Sequence, residues 1–518
     1  MQAGEPGRGV PYGFVGLSVE FRSVEAYAGD DPSALDPVFV RLVRNLAPGQ
    51  APVLRSGGDS SDRTWWPTPG VARPPGVKFA ITDRWLAVTR ALVAALGAHV
   101  IAGLNLEASS PALAASEGRA LVDGIGRGAT RALELGNEPD LYATFPWYRT
   151  PSGRHVKGRP GSYDMSGLIG DFTRFARALP PVLLAGPSLG APDWARHLGR
   201  FLTAEPRVGL VTLHRYPLQH CYTHRNSSRY PTLAHLLSPA SSIGLADSFA
   251  RYVRVAHAHG LSVRIDELGS VSCGAVPEVS NTFASALWAL NTLFEMARVG
   301  IHGVNIHTFP GAGYELFRVR RTSAGWAARV APEYYGLEMF VSAAPAGSRL
   351  LAVSNRSDAA LHTWATRTHD GTIRVLAVNT GMGARVVRVG VAGHATGQAE
   401  IERLTAPSLR SSDGVSLGGQ TFGSSTSTGV LSGTPEVSTV SPVDGRYAVS
   451  LPAGSAALLT LTPPASPRRA VPGATPPSAR RRRRGDVGQS SRRGVPPRDP
   501  RGLSACPGVA PTGRSYSS

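Results

Sequence analysis

Two carboxylates sit where chemistry would need them. In the stretch ALELGNEPD, Asn137 and Glu138 stand at the end of an apolar run, and Pro139 stops that run. The residue before a proline is kept out of the right-handed helical region, so Glu138 is expected in an extended or turn conformation at a strand tip. A second run, LSVRIDELG, carries Glu267 at its own tip, with Asp266 just before it. A pair of carboxyl groups on two strand ends fits a general acid and a nucleophile flanking a glycosidic bond. Either glutamate alone is weak evidence, because acidic residues often cap the helix that follows a strand. Their joint position is the informative feature.

The elements that would carry them recur along the chain. Apolar runs at 13–21, 52–58, 99–106, 131–138, 181–189, 209–217, 261–269 and 301–309 alternate with helical patterns at 83–96, 165–178, 243–259 and 281–298. The last of these has Phe283, Leu287, Leu290, Phe294 and Ala297 at helical spacing. Eight strands alternating with helices over this length predict a parallel (β/α)8 TIM barrel in 12–345, with 331–343 as its final helix. An open dinucleotide-binding sheet is disfavoured, since no GxGxxG opens the first helix. In such a barrel function sits at the C-terminal strand ends, and those ends are polar here: Glu20, Arg55, Asp59, Asn105, Glu107, Asn137, Glu138, His214, Tyr216, Asp266, Glu267 and His307. Alternating short strands then predict an all-β sandwich in 346–463, with a loop at 411–433.

Composition excludes other classes. The formal net charge of +18 suggests nucleic acid, but residues 464–518 hold twelve Arg and two Asp and so carry +10 of it, leaving +8 on the other 463 residues. The Arg run 480–484 lies among Pro, Ser and Gly, and that segment is expected to be a disordered basic tail. No specific nucleic-acid partner is inferred. No apolar run reaches the roughly 18 residues of a membrane helix. Residues 1–10 do not read as a secretory signal, so the protein is cytoplasmic or exported by a signal not visible here. The three cysteines show no CxxC spacing and no metal cluster. Cys221 and Cys273 fall in loops after strands six and seven, which are neighbours in a barrel. They are either a disulfide, which would favour an extracellular protein, or two unpaired buried thiols.

Taken together, FVGLSVEF, LRSGGDSSD, GLNLE, ELGNEPDLY, HRYP, DELGSVSCG and FPGAGYELF resemble glycoside hydrolase family 79, the β-glucuronidase and heparanase family. The resemblance spans about residues 12–345, and a trailing sandwich fits it. It implies a retaining exo-β-glycosidase, β-glucuronidase-like, with an endo-acting heparanase-like enzyme as the near alternative and a non-catalytic carbohydrate-binding barrel as the alternative class. Glu267 would be the nucleophile and Glu138 the acid/base. Substrate contacts are expected from Asn137, Glu20, Asp59, Arg55, His214, Tyr216, Gly313 and Tyr314. Asn137 would meet the sugar 2-hydroxyl, Arg55 would hold Glu267 ionised, and Tyr216 would hydrogen-bond it. Gly313 and Tyr314, in FPGAGYELF, would meet a uronate carboxylate. A second family tyrosine, five residues beyond the nucleophile, is replaced by Ser272. Trp65 and Trp66 would either stack on a sugar or plug a loop. The expected partner is a β-linked glycoside or oligosaccharide, with uronic acid as one candidate unit, and the chemistry calls for no cofactor and no metal.

Overall fold

The eight expected barrel strands all form, in sequence order, in a computed structural model that describes residues 7–354, 360–391 and 397–463. They are β1 (Val15–Val19), β2 (Val53–Ser56), β3 (His99–Leu104), β4 (Thr130–Leu135), β5 (Leu184–Leu189), β6 (Val208–Arg215), β7 (Ser262–Leu268) and β8 (Gly303–His307). Each pairs in parallel with its sequence neighbours, and β8 closes on β1 through the register Val15↔Val304 to Ser18↔His307. The strands read as continuous apolar runs because both faces are covered, one by the barrel interior and one by the helices. The segment expected to be a disordered basic tail, 464–518, lies outside the described residues. Among the described residues no helix is long and apolar enough to cross a membrane.

Helix ends follow local chemistry. Asp83–Leu96 starts where the Thr82 hydroxyl accepts from Trp85 N and stops at Gly97 in the left-handed region. Pro111–Ile125 starts with Ser110 as its cap and Pro111 in the first turn, although the sequence reading passed over this helix. Its apolar positions are mostly Ala and Gly, so its periodicity is faint. A hairpin of Phe317–Thr322 with Gly325–Val330 was also not anticipated.

The β-rich region past the barrel contains a seven-stranded antiparallel sheet that includes Leu361–Arg367, Ile373–Asn379, Ala399–Thr405 and Ser455–Leu461. A two-stranded sheet, Arg385–Gly390 with Arg446–Leu451, packs over it around Ile373, Val375, Tyr447, Val449 and Leu459. The opposite face of the large sheet supplies Leu376, Val378, Leu404, Ala456 and Leu458 to the barrel's own core. This is why the helix Phe283–Val299 is buried at every position except Arg298: barrel strands lie on one side, and Pro332–Ala343 and the large sheet lie on the other. Phe294 stacks on Trp364 with ring centroids 5.3 Å apart, and Trp364 Nε1 donates to Asn291 Oδ1 at 3.0 Å.

The sheet is therefore part of the barrel's wall. Trp364→Ala is expected to destabilise the whole molecule by about 2–3 kcal/mol, near the low end for truncating a large aromatic. Urea unfolding monitored by circular dichroism would still show one transition, because barrel and sheet share a core.

Candidate active site

A cavity of about 660 Å³ opens at the C-terminal end of the strands, lined by Glu20, Asp59, Asn137, Glu138, Tyr216, Glu267, His307 and Tyr314 among others. Both expected carboxylates are at its floor. Glu267 is aimed there by an irregularity in β7. Against β6, Leu213 faces Ile265 and His214 faces Glu267, so Asp266 is an extra residue. Against β8, Ile265 faces Val304 and Leu268 faces Ile306. Side chains alternate faces along a regular strand, but a bulge breaks the alternation. Asp266 and Glu267 therefore both turn toward the same guanidinium, that of Arg55.

Arg55 has no solvent exposure. Its Nη1 donates to Glu267 Oε2 at 2.7 Å, its Nε to Glu134 Oε2 at 2.6 Å and its Nη2 to Asn137 Oδ1 at 2.9 Å, while Asp266 Oδ2 lies 3.3 Å from Nε. Tyr216 donates to Glu267 Oε1 at 2.8 Å. Burial alone would raise the Glu267 carboxyl, but His307, His214, Arg55 and the Tyr216 hydroxyl outweigh it and hold the group well below the usual carboxylate range. His307 Nδ1 is 3.9 Å from Glu267 Oε2 and 3.0 Å from Ser18 Oγ.

Glu138 sits at φ 49°, ψ 54°, in the left-handed region, so of the two conformations expected before Pro139 the turn is taken. Its amide donates to Ser188 O at 2.9 Å, and Ser188 itself has φ 56°. Non-glycine residues at such angles are strained and persist only where the surroundings fix them. The Glu138 carboxyl lies flat on Gly190, where an added Cβ would come within 2.4 Å of Cδ. His214 joins the two carboxylates. Its Nδ1 is 3.2 Å from Glu138 Oε1 and 4.0 Å from Glu267 Oε2, and the ligand atoms of all three residues lie within 4.8 Å of one another. Burial and Arg55 oppose a charge on this imidazole, yet Glu267, Asp266 and Glu138 push its pKa up to about 10. A ring protonated on both nitrogens has no lone pair for a metal, so this triplet is a poor cation site.

The remaining expected contacts divide. Asn137 uses its Oδ1 on Arg55 and its amide on Asp62, which leaves Nδ2 facing the cavity. Glu20 accepts from Ser60 N at 2.8 Å and lines the cavity beside His307. Asp59 is open to the cavity; desolvation between its walls and the charge of Glu20 push its carboxyl up to about 6. Tyr314 lines the floor, 6.1 Å from the Tyr216 ring.

Three of the expected substrate contacts do not line the cavity. Arg55 and His214 are fully buried beneath the carboxylates and do not line the cavity. Gly313 is not among the lining residues either, because its amide is spent on Gly274 O at 3.2 Å. Trp65 is packed with Val77 and Leu113, and Trp66 lies against the main core, so both serve as plugs. Cys221 and Cys273 are joined in a disulfide with Cα atoms 6.0 Å apart, beside the short parallel pair Leu218–Gln219 and Val271–Ser272.

Sequence reasoning missed Asp62. Its Oδ1 accepts from Leu106 N and Glu107 N, and its Oδ2 accepts from Asn137 N and Tyr142 OH at 2.6 Å, so it fixes the loop on which Asn137 and Glu138 stand. The only signal was its acidic position in LRSGGDSSD. Phe145 and Tyr222, with ring centroids 5.4 Å apart at the cavity wall, were also missed.

Residues 360–458 match the family model described as the glycosyl hydrolase family 79 C-terminal beta domain. The human protein named inactive heparanase-2 is 28% identical over 189 residues, which is 35% of this chain and 29% of that protein; its mouse counterpart is 27% identical over the same length. The chain thus spans under a third of the curated relatives it matches. Among solved structures, a 4-O-α-L-rhamnosyl-β-D-glucuronidase from Fusarium oxysporum 12S aligns at TM-score 0.67 and 19% identity, covering 89% of this chain and 100% of that one. A family 51 arabinofuranosidase from Xanthomonas axonopodis pv. citri aligns at 0.61 and 16%, covering 89% and 98%. At these identities the two structures speak for the fold alone.

Two substitutions test the geometry. Arg55→Met removes the cation that Glu134, Asp266 and Glu267 share and is expected to cost on the order of 3–5 kcal/mol, read as a lower urea midpoint. Gly190→Ala is expected to keep the fold, because only the flexible end of Glu138 must move; a crystal structure of the variant would find that carboxyl displaced from His214. The C-terminal domain match and the curated relatives agree with the motifs read from the sequence, which resemble glycoside hydrolase family 79, and the barrel neighbours agree with the fold.

Proposed function

We propose that the protein is a retaining β-glycosidase acting by double displacement through a covalent glycosyl-enzyme. The observation that carries this is the spacing of Glu138 and Glu267, whose oxygens approach within 4.8 Å across His214 at the floor of an open cavity. Retaining enzymes keep their two carboxyl groups about 5–5.5 Å apart, whereas inverting enzymes need about 6.5–9.5 Å to admit water. Glu267, held ionised, attacks the anomeric carbon and the bond to the leaving oxygen breaks. Glu138 delivers its proton to that oxygen. Glu138 then takes a proton from water, which attacks the glycosyl–Glu267 ester and frees the sugar. His214 Nδ1–H donates to Glu138 Oε1, so the transferred proton belongs on Oε2. Asn137 Nδ2 is positioned for the sugar 2-hydroxyl, and Glu20 and Asp59 for hydroxyls further out.

The substrate we propose is a β-D-glucuronide cleaved from its end. The resemblance of the motifs to family 79 supports it, as does the match of residues 360–458 to that family's C-terminal domain. With the Gly313 amide already bonded and Ser272 in place of a tyrosine, the uronate carboxylate would rely on Tyr314 and on Arg229 at the rim. The Cys221–Cys273 bond supports an extracellular, oxidising compartment. A second reading, a carbohydrate-binding barrel without turnover, is favoured by the word inactive in the names of the curated relatives.

Chromogenic β-D-glucuronide and β-D-glucoside assays separate these readings. The expected result is turnover of the glucuronide, reduced at least about 10³-fold in Glu267→Gln. In Glu138→Gln the loss in kcat/KM is expected to be small for an activated leaving group and large for an alkyl one, since only the latter needs the proton, while kcat falls with both because water has lost its base. Turnover of the glucoside alone would keep the mechanism and replace the sugar. Binding of either sugar with no turnover of any glycoside, long-chain uronic-acid polysaccharide included, would favour the second reading. Because Glu267 is held below the usual carboxylate range, its protonation limb in kcat/KM is expected below pH ~4, with activity lost only as pH falls through that limb.

A further inference from the structure

Beneath the catalytic pair lie two acidic side chains that the reaction does not touch, Glu134 in β4 and Asp266 in the β7 bulge. Neither has any solvent exposure. Each places a carboxyl oxygen within 4.8 Å of the other, and both reach Arg55 Nε, at 2.6 Å from Glu134 Oε2 and 3.3 Å from Asp266 Oδ2. Glu134 Oε2 accepts from Arg55 Nε, while Glu134 Oε1 and both Asp266 oxygens are buried without a donor of good geometry among the described residues. An ionised carboxylate only accepts hydrogen bonds, so two of them in contact need a proton between them. The charged groups around the pair decide where it rests. Arg55 of β2 faces both. His214 of β6 places Nε2 3.4 Å from Asp266 Oδ1, and Glu267 of β7 shares Arg55 with them. Asp266 lies within 3.4 Å of both cations, whereas Glu134 is bonded to Arg55 and has His214 only within 4.8 Å. Ser18 of β1 and Ser188 of β5 are the neutral hydroxyls at the edge, bonded to Arg55 and His214, and His307 of β8 faces Glu267.

We propose that Glu134 and Asp266 share a single proton, held on Glu134 Oε1, and that this proton keeps Asp266 as the ionised partner of His214. Glu134 is then a positioning residue. A neutral acid accepts from Arg55 with its carbonyl oxygen and donates to Asp266 with its hydroxyl. Asp266 in turn keeps the imidazole charged and aimed at Glu138 and Glu267. Loss of the proton would add a buried negative charge directly under the nucleophile. Burial and the Asp266 charge raise the Glu134 carboxyl to about 8, while Arg55, Glu134 and His214 hold Asp266 low against its own burial. A carboxyl raised in the folded state binds more protons there than in the unfolded chain. Its stabilisation is complete below the ordinary carboxylate pKa and is lost as pH rises through about 8.

The test uses Glu134→Gln and Asp266→Asn in the full chain. Glutamine copies the neutral acid, with one oxygen to accept from Arg55 and one N–H to donate. Glu134→Gln is therefore expected to keep the wild-type melting temperature near pH 4 and to lose the decline between the ordinary carboxylate pKa and about pH 8. The infrared band of a buried protonated carboxylic acid, present in the wild type, should vanish in Glu134→Gln. Asp266→Asn should leave Glu134 free to ionise against Arg55 and remove the counter-charge of His214, and so move the alkaline limb of kcat/KM to lower pH. An infrared band that survives Glu134→Gln and disappears in Asp266→Asn would put the proton on the wrong residue and overturn the proposal, as would a large loss of stability in Glu134→Gln near pH 4. The melting and infrared measurements need no substrate, so their failure is distinct from failure of the glycosidase reading, on which only the kinetic measurement rests.

Discussion

The guanidinium of Arg55 is the interaction on which the site depends. It is fully buried in the barrel and reaches Ser18 of β1, Glu134 and Asn137 on and after β4, and Asp266 and Glu267 of β7. A lone charge in that position would be intolerable, and so would any one of the carboxylates without it. The arrangement is stable only when the barrel is closed and all of these strands present their tips at once. Closing the barrel is therefore what brings Arg55 to the Glu267 carboxylate. Arginine suits the position because its planar fork offers five donors in fixed directions, which an ammonium cannot do.

Around this centre the backbone departs from regular geometry at points that include the left-handed Glu138 and Ser188 and the extra residue Asp266 in β7. Left-handed non-glycine residues cost on the order of 1–3 kcal/mol each. A barrel whose outer helices are buried against a second sheet can hold them in place. The helix Phe283–Val299, buried on nearly all sides, links the two. This gives the β-rich region a physical role, even though it contributes none of the residues that line the cavity. His214 then completes the link between strain and chemistry, because its two nitrogens span from Ser188 and Asp266 below to Glu138 and Glu267 above.

Much of this was legible in the sequence. All eight barrel strands, and the tip positions of Glu138 and Glu267, follow from short apolar runs ended by Gly, Pro and polar residues, which are local signals. The helix Pro111–Ile125 escaped because Ala and Gly blur its period. What depended on register could not be read at all. The bulge that brings Asp266 round to Arg55 is defined only by what β6 and β8 place opposite it. The same is true of Arg55 and His214, which strand-end position marked correctly but which face into the protein instead of the cavity. Gly313 reads as a substrate contact in the sequence because its partner, Gly274 O, lies in a different loop. Asp62 looked like one more polar loop residue until four donors converged on it.

The most direct test of the account is to trap the intermediate. The protein would be incubated with a 2-deoxy-2-fluoro-β-D-glucuronide bearing a good leaving group, and with the matching glucoside, and then digested and mapped by mass spectrometry. The account expects a stable adduct of one sugar on Glu267, absent when Arg55 is replaced. An adduct on another residue, or none from either sugar while a chromogenic glycoside is still turned over with inversion, would contradict it.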